Sequence, residues 1–543
     1  LPKFNKEETQ EGIDFTNPIF QNTDGTSRIA YIWDQSMETE EENWEVPYGV
    51  EYNKEDIARA LESDNPREAI PHQDLNYHGT FMAAIAAGNI SEEEDFTGVA
   101  PNATIIMVKL KEAKENLRNF FGIKSGIPCY QENDIMMGIE YLRQKSRQLQ
   151  RPIVICLGVG SNAGSHEGML PLGAYLNQIG SVGGICTVVA GGNENNLGHH
   201  YASTLGGGAE EEVELDLEDN EDFTMELWTS AIGSLSIGFV SPTGEFTERI
   251  PIRNYEQTIG FVFERAKIFV HYERVEYYSG KELIAIRVKN PTEGIWRLRV
   301  YNLEEDSATY NIWLPMREFI SDRTAFIYPA PDVTLCEPGN VNRVITVAAF
   351  NHRNNSIFLE SSRGYTANNS IKPDIAAPGV DVYGPVSRLR YGQRSGTSVS
   401  AAHTAGAAAM LLEWAIIGQN DFRMNTVTCK YYLIRGARKE NMTIPNRSFG
   451  GYGNIVLSWE KVTVHTYGTN SNRKNVTVHT YGANCNGIHP ICNSPLWRKA
   501  GFFSVTTCSY VLCSKCKVLP VNSNGKILYI IKIGEILLTI TLE

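Results

Sequence analysis

Positive charge is in short supply in this chain of 543 residues: Lys and Arg number 49 against 63 Asp and Glu, a net charge of −14. That balance argues against a general nucleic-acid binder or a protein held on anionic membranes. Long apolar runs are missing as well. None reaches the roughly 18–20 residues of a spanning helix, and the best tail candidate, Ile527–Leu542, is broken by Lys532 and Glu535. No membrane insertion is therefore expected. The opening LPKFNKEETQ has no apolar core of the kind a secretory signal needs, and it has no initiator Met, which reads as a processing site or a fragment edge.

Cysteine is sparse through the body, at Cys129, Cys156, Cys186, Cys336 and Cys429. Irregular, scattered thiols fit a reducing compartment better than a disulfide scaffold. Five more crowd the tail, at Cys485, Cys492, Cys508, Cys513 and Cys516, in no paired CxxC…CxxC spacing, so no zinc site is expected. No EF-hand loop occurs in the acidic runs Glu38–Glu42 and Glu210–Asp222, which read as solvated loops. The His199-His200 pair has no third ligand nearby in sequence and reads as a solvated loop pair, with no metal; His403 reads as core packing.

What is present is patterned. Short apolar runs at Arg28–Trp33, Ala103–Lys109, Pro152–Leu157 and Gly184–Ala190 alternate with helical stretches at His78–Gly88 and Asn133–Gln150. That is the signature of an α/β layer with a parallel sheet buried on both faces. Near Gly206 the period changes to two, with strands expected at Leu235–Val240, Gly260–Phe263, Ile268–Tyr272, Leu283–Val288, Trp296–Tyr301 and Tyr310–Leu314. The α/β pattern resumes at Val344–Ala349, and a long helix follows at Ser400–Ile417. The expected organisation is a core in two parts, 1–206 and 336–458, an inserted β-sandwich at 207–335, and an atypical tail at 459–543. The phrase VTVHTYG occurs twice, at Val462–Gly468 and Val476–Gly482. Beyond it the tail reads as the product of a frame error or read-through.

Three segments carry chemistry. His78-Gly79-Thr80 opens an alanine-rich helix; Val189-Ala190-Gly191-Gly192-Asn193 ends a buried strand in glycines and an amide; and Ser395–Gly406 is a glycine turn feeding a second alanine-rich helix. A serine nucleophile needs a base within hydrogen-bond reach and donors aimed at the developing oxyanion. Ser398 falls on a first helical turn, where backbone N–H groups and the helix dipole favour negative charge. His78 is the candidate base and Asn193 the candidate oxyanion donor.

Taken together these segments resemble the subtilisin-like serine proteases. GTSVSAAHTAG matches the G-T-S-x-x-x-P-H-x-A-G pattern except at Ala402, HGTFMAA resembles H-G-T-H-x-A, and KPDIAAPG at 372–379 is typical. DGTSRIAYIWDQ, the β insertion and YLIRGAR narrow the resemblance to the Csp proteases of spore-forming anaerobic bacteria. The resemblance implies a three-layer α/β core with a parallel sheet and an inserted jelly-roll-like sandwich. It implies peptide-bond hydrolysis by Ser398, His78 and Asn193, with Leu157, Gly158, Ala190, Gly191 and Gly192 along the substrate, and no cofactor. The partner would be a protein or peptide substrate, such as a spore cortex-lytic proenzyme during germination, alongside related Csp-like proteins, in the cytoplasm or associated with the spore. Cys156 stands where the family usually has Ser. One departure is larger: in the D-[ST]-G-[IV]-D segment, Gln10 stands where the family's triad Asp belongs, and Asp14 matches only the second Asp. Because that Asp orients the imidazole and stabilises its cation, its loss costs about 10⁴ in rate. The alternative is a catalytically impaired pseudoprotease that binds or signals. A non-proteolytic acyl hydrolase would need a G-x-S-x-G elbow, which is absent.

Overall fold

The computed structural model describes residues 12–38, 46–439, 447 and 451–455, with the backbone of four tail strands at 462–466, 474–478, 528–533 and 536–541. Gln10, Glu11 and the tail cysteines lie outside the described residues, as does most of the acidic run that begins at Glu38.

The α/β part builds two sheets. In the first, β1 (Ile29–Asp34) pairs antiparallel with β2 (Val50–Asn53) and parallel with β3 (Ile105–Lys109). The second is wholly parallel, in the order β17-β16-β5-β4, from β4 (Ile153–Leu157), β5 (Ile185–Ala190), β16 (Ile345–Phe350) and β17 (Ile375–Pro378). Every residue of β5 and β16 is buried, as their unbroken apolar runs require of strands covered on both faces. The helices are α1 (Lys54–Glu62), α2 (Pro66–Ala69), α3 (His78–Ala87), α4 (Glu115–Phe121), α5 (Glu132–Leu149), α6 (Pro171–Ile179), α7 (Thr397–Leu412) and α8 (Thr426–Gly436). Helix α7 runs through the centre, packed on α3 and on the parallel sheet. With the π turn that extends it to Ile417 it is apolar and long enough to cross a membrane, against the sequence expectation, but its apolar surface is mostly buried in this core.

Between β5 and β16 the chain builds two antiparallel sheets. One has the order β10-β11-β12-β8-β14-β6, from β6 (His200–Leu205), β8 (Phe223–Thr229), β10 (Gln257–Gly260), β11 (Lys267–Glu273), β12 (Glu282–Lys289) and β14 (Ala308–Trp313). The other is β15-β7-β13-β9, from β7 (Glu210–Leu217), β9 (Leu235–Val240), β13 (Gly294–Asn302) and β15 (Ala325–Phe326). Their inner faces share one core that includes Leu227, Ile237, Ile268, Ile286 and Val300. Strand β12 alternates strictly between buried and half-buried positions, the period a two-sheet sandwich imposes.

Two sequence expectations are corrected here. Glu210–Asp222 is largely strand, not a solvated loop. Its period of two turns Val213, Leu215 and Leu217 inward, while Glu212 and Glu214 bond Arg299 and Arg297 across the ladder at 2.8 and 3.1 Å. Glu211 accepts from Tyr201, Tyr310 and Ser203, which hold its pKa down against its burial. The strand expected at Gly260–Phe263 ends at Gly260 instead, and Val262 and Phe263 are each 83% exposed. Beyond the core, the first VTVHTYG copy supplies a strand, Val462–Thr466, that pairs antiparallel with Lys474–Val478.

Candidate active site

Two helix starts and one strand end meet at a cleft of about 320 Å³. His78 is the first residue of α3, where its backbone N–H donates to Asn76 Oδ1 at 2.8 Å. Ser398 is the second residue of α7, at the helix end where N–H groups lack intrahelical partners. Ser398 Oγ and His78 Nε2 are 3.0 Å apart although 320 residues separate them in sequence. That is hydrogen-bond distance between a hydroxyl and the base that would take its proton.

Asn193 follows β5. Its Oδ1 accepts from the Thr397 N–H at 3.0 Å and the Thr397 hydroxyl at 3.2 Å. Those two bonds fix the amide orientation, so Nδ2 is the atom left to face the cleft beside Ser398. A Cβ placed on Gly396 would lie 3.5 Å from Ser398 Oγ and 3.6 Å from Asn193 Nδ2. Gly396 itself has φ +150°, a conformation that favours glycine and turns the chain into α7. Gly192, at φ +101°, donates its N–H to Thr397 Oγ1 at 3.1 Å, and a Cβ there would meet Cys336 Sγ at 2.4 Å.

The cleft walls are Gly158, Val159 and Gly160 on one side and Ala190 and Gly192 on the other. A Cβ on Gly158 would press on the Met82 side chain at 2.8 Å and lie 3.5 Å from Ser398 Cβ, so glycine here spares the cleft that packing. Leu157 packs instead against the core formed by Ile155, Leu176 and Val189, and the Gly191 N–H is taken by the Val347 carbonyl at 3.0 Å. Cys156 lies in β4, where burial pushes its thiol up to about 12, so it stays protonated at neutral pH. Ala402 is fully buried.

The acids near the start of the chain are engaged elsewhere. Asp14 accepts from the Tyr77 hydroxyl and from Thr16, and lies 3.4 Å from the Arg67 guanidinium. Asp34 bonds a histidine, but it is His72 rather than His78: His72 Nδ1 and Asp34 Oδ2 are 2.7 Å apart. His72 Nε2 accepts the Ile13 N–H at 3.1 Å, which leaves Nδ1 as the donor to Asp34. Although burial favours its neutral acid, the bond from His72 and nearby Lys109 hold the Asp34 carboxyl below its usual range.

The cleft also gathers Asn76, Glu194, Met316, Glu318 and Arg394, which the sequence reading did not single out. Glu194 had a signal, since it follows Asn193 directly. Glu318 comes from the far end of the sandwich and had none. The His199-His200 expectation is corrected, since both are 2% exposed. His199 Nδ1 bonds Glu194 at 2.7 Å, and His200 stacks on Trp313 while bonding Asp332 and Asn311. His403 is buried, gives its Nδ1 proton to the Val399 carbonyl, and burial lowers its pKa to about 4. Among the described residues no three His, Cys, Asp or Glu side chains cluster as a metal site would.

A hydroxyl and imidazole at bonding distance, a fixed amide beside them and an open glycine wall are the parts of a serine peptidase site. The Subtilase family matches residues 11–251 and 330–453 of the chain. The chain belongs to the subtilase family. Among solved structures this subtilase is similar to the CspB protease of Clostridium perfringens, with 31% identity and a TM-score of 0.73, covering 82% of this chain and 90% of that one. It is 23% identical over 434 residues to the C5a peptidase of Streptococcus pyogenes serotype M1, covering 74% of this chain and 33% of that protein. A 51-residue stretch is 51% identical to the C5a peptidase of serotype M18, covering 9% of this chain and 4% of that protein. The chain thus spans about a third or less of the length of these curated relatives.

Proposed function

We propose that this subtilase is a serine endopeptidase that hydrolyses peptide bonds in protein substrates through an acyl-enzyme. The observation that carries the reading is the 3.0 Å contact between Ser398 Oγ and His78 Nε2 within an open cleft. Ser398 Oγ attacks the scissile carbonyl and His78 Nε2 takes its proton. The Asn193 amide and the backbone N–H of Ser398 hold the oxyanion. His78 then returns the proton to the leaving amine, and the C–N bond breaks. Water, deprotonated by His78, attacks the acyl-enzyme, and as the ester C–O bond breaks His78 gives that proton to Ser398 Oγ, releasing the new carboxyl end and the free hydroxyl. No cofactor enters these steps.

Likeness to the CspB protease, with the β insertion, supports a finer reading: a jelly-roll-bearing Csp-type protease that activates a spore cortex-lytic proenzyme, in the cytoplasm or associated with the spore. Gln10 favours a second reading, a catalytically impaired pseudoprotease that binds or signals. Hydrolysis of a denatured protein substrate separates the two. The endopeptidase reading expects cleavage that Ser398→Ala and His78→Ala abolish. No cleavage beyond that of Ser398→Ala would favour the second reading.

A further inference from the structure

The cleft holds two carboxylates that the hydrolytic steps do not use, and they differ in their bonds. Glu194 is 3% exposed and anchored. Its carboxylate accepts from His199 at 2.7 Å, Asn162 at 3.2 Å and the Arg317 N–H at 3.3 Å. Glu318 sits on the short turn Arg317–Phe319 between β14 and β15, so the sandwich delivers it into the cleft. It has no hydrogen-bond or ion-pair partner from another side chain among the described residues. The adjacent Arg317 bonds Glu360 at 2.9 Å and reaches Glu318 only through space. Arg394 donates to the Asn76 carbonyl and lies over the Phe81 ring, on the His78 side of the cleft.

A substrate carbonyl placed between Ser398 and Asn193 sets the side chain of its own residue against the walls at Gly158–Gly160 and Ala190–Gly192. Glu194 follows Asn193 directly, and Met316 and Glu318 line the same space. Met316 and Val159 offer apolar surface to a methylene stem, with carboxylates beyond, which suits a long side chain with a cationic end. Glu318 is solvent-exposed where it lines the cleft, so its carboxylate is open to a cationic side chain that enters there.

We propose that Glu318, brought in by the β-sandwich, selects Lys or Arg as the residue that supplies the scissile carbonyl. The proposal rests on reading Ser398, His78 and Asn193 as a peptidase site, and its test does not need turnover. Labelled peptides that differ only in Lys, Arg, norleucine or Glu at that residue are titrated into Ser398→Ala protein by fluorescence anisotropy. Lys and Arg peptides are expected to bind about fivefold tighter than the norleucine peptide, as a partly exposed ion pair allows, and Glu to bind weakest. Adding Glu318→Gln should bring the Lys-to-norleucine ratio close to one, and Glu318→Lys should turn the preference toward Glu. Thermal unfolding of each variant verifies that it folds. Equal binding of Lys and norleucine, a preference that survives Glu318→Gln, or no binding by any peptide overturns the proposal. Serine-directed labelling of the unmodified enzyme in parallel judges the peptidase reading separately: labelling without a Lys preference sinks only the specificity.

Discussion

Replacing Asn193 by Ala removes one donor and nothing else that touches the reacting atoms. In the folded protein Asn193 Oδ1 accepts twice from Thr397, at 3.0 and 3.2 Å, which commits Nδ2 to the cleft. The substitution thus has two separable costs. The Thr397 N–H and hydroxyl lose their acceptor at a buried residue, at about 1–3 kcal/mol of stability. The oxyanion loses its amide, at about 10²–10³ in kcat; that range is the one known for an oxyanion amide in subtilisin and is borrowed from within the family. Thr397→Val keeps the amide but removes one of its two anchors, together with the acceptor of the Gly192 N–H at 3.1 Å. One neutral hydrogen bond of positioning corresponds to roughly tenfold. The assay is kcat on a peptide substrate together with the second-order rate of inactivation by a fluorophosphonate, whose tetrahedral adduct uses the same donor. Asn193→Ala should lose most and Thr397→Val less, both at nearly unchanged KM. A kcat within twofold of the parent for Asn193→Ala, or a loss confined to KM, would refute the oxyanion role.

Three further outcomes follow from the same structure. Gln10→Asp, which places a carboxylate where the resemblance to the D-[ST]-G-[IV]-D pattern expects one, should raise kcat by up to about 10⁴; unchanged kinetics would show that the acid position lies elsewhere. Glu337 is buried near Glu132 and Glu167, and burial above all raises its pKa to about 7. A raised folded pKa gives stability that is fully present below about 4.5 and lost as pH rises through about 7. Glu337→Gln keeps an acceptor for the Gly168 N–H at 2.9 Å, so it should match the parent at pH 4 and exceed it by on the order of 2–3 kcal/mol at pH 8 in urea titrations; a parent that gains stability over that range contradicts the assignment. Lys372 is buried with its ammonium on the Val344 carbonyl, Thr346 and Asp374, and Lys430 meets the same carboxylate at 3.0 Å. Asp374→Asn leaves two cations without their anion and should cost about 3–5 kcal/mol, read as a fall in urea midpoint; a loss under 1 kcal/mol would count against it.

The site was legible where function is written locally. Asn193 and Ser398 each stand beside a glycine turn at the end of a buried element, His78 opens α3 just before Gly79, and the structure brings all three to one cleft. Core strands expected at Pro152–Leu157, Gly184–Ala190 and Val344–Ala349 appear within a residue or two of those bounds, because an apolar run covered on both faces has few other fates. Pairings made across the chain were not legible. Glu318 reaches the cleft only because the sandwich folds back on the core, and the Asp34–His72 bond joins residues 38 apart with no shared motif. Acid count misled at Glu210–Asp222, where the period of two outweighs charge: every second residue faces the core, and cross-strand arginines balance the rest. His199 and His200 read as solvated because histidine pairs usually are, yet Glu194 and Trp313 lay far off in sequence or unweighed.

Activation of Ser398 by His78 carries the peptidase reading. Its most direct test is fluorophosphonate labelling followed by peptide mapping of the intact chain and of the Ser398→Ala and His78→Ala variants. An adduct on Ser398 that is lost in Ser398→Ala and strongly slowed in His78→Ala is the predicted result. Equal labelling of the parent and Ser398→Ala proteins, or no adduct on the parent, would contradict it.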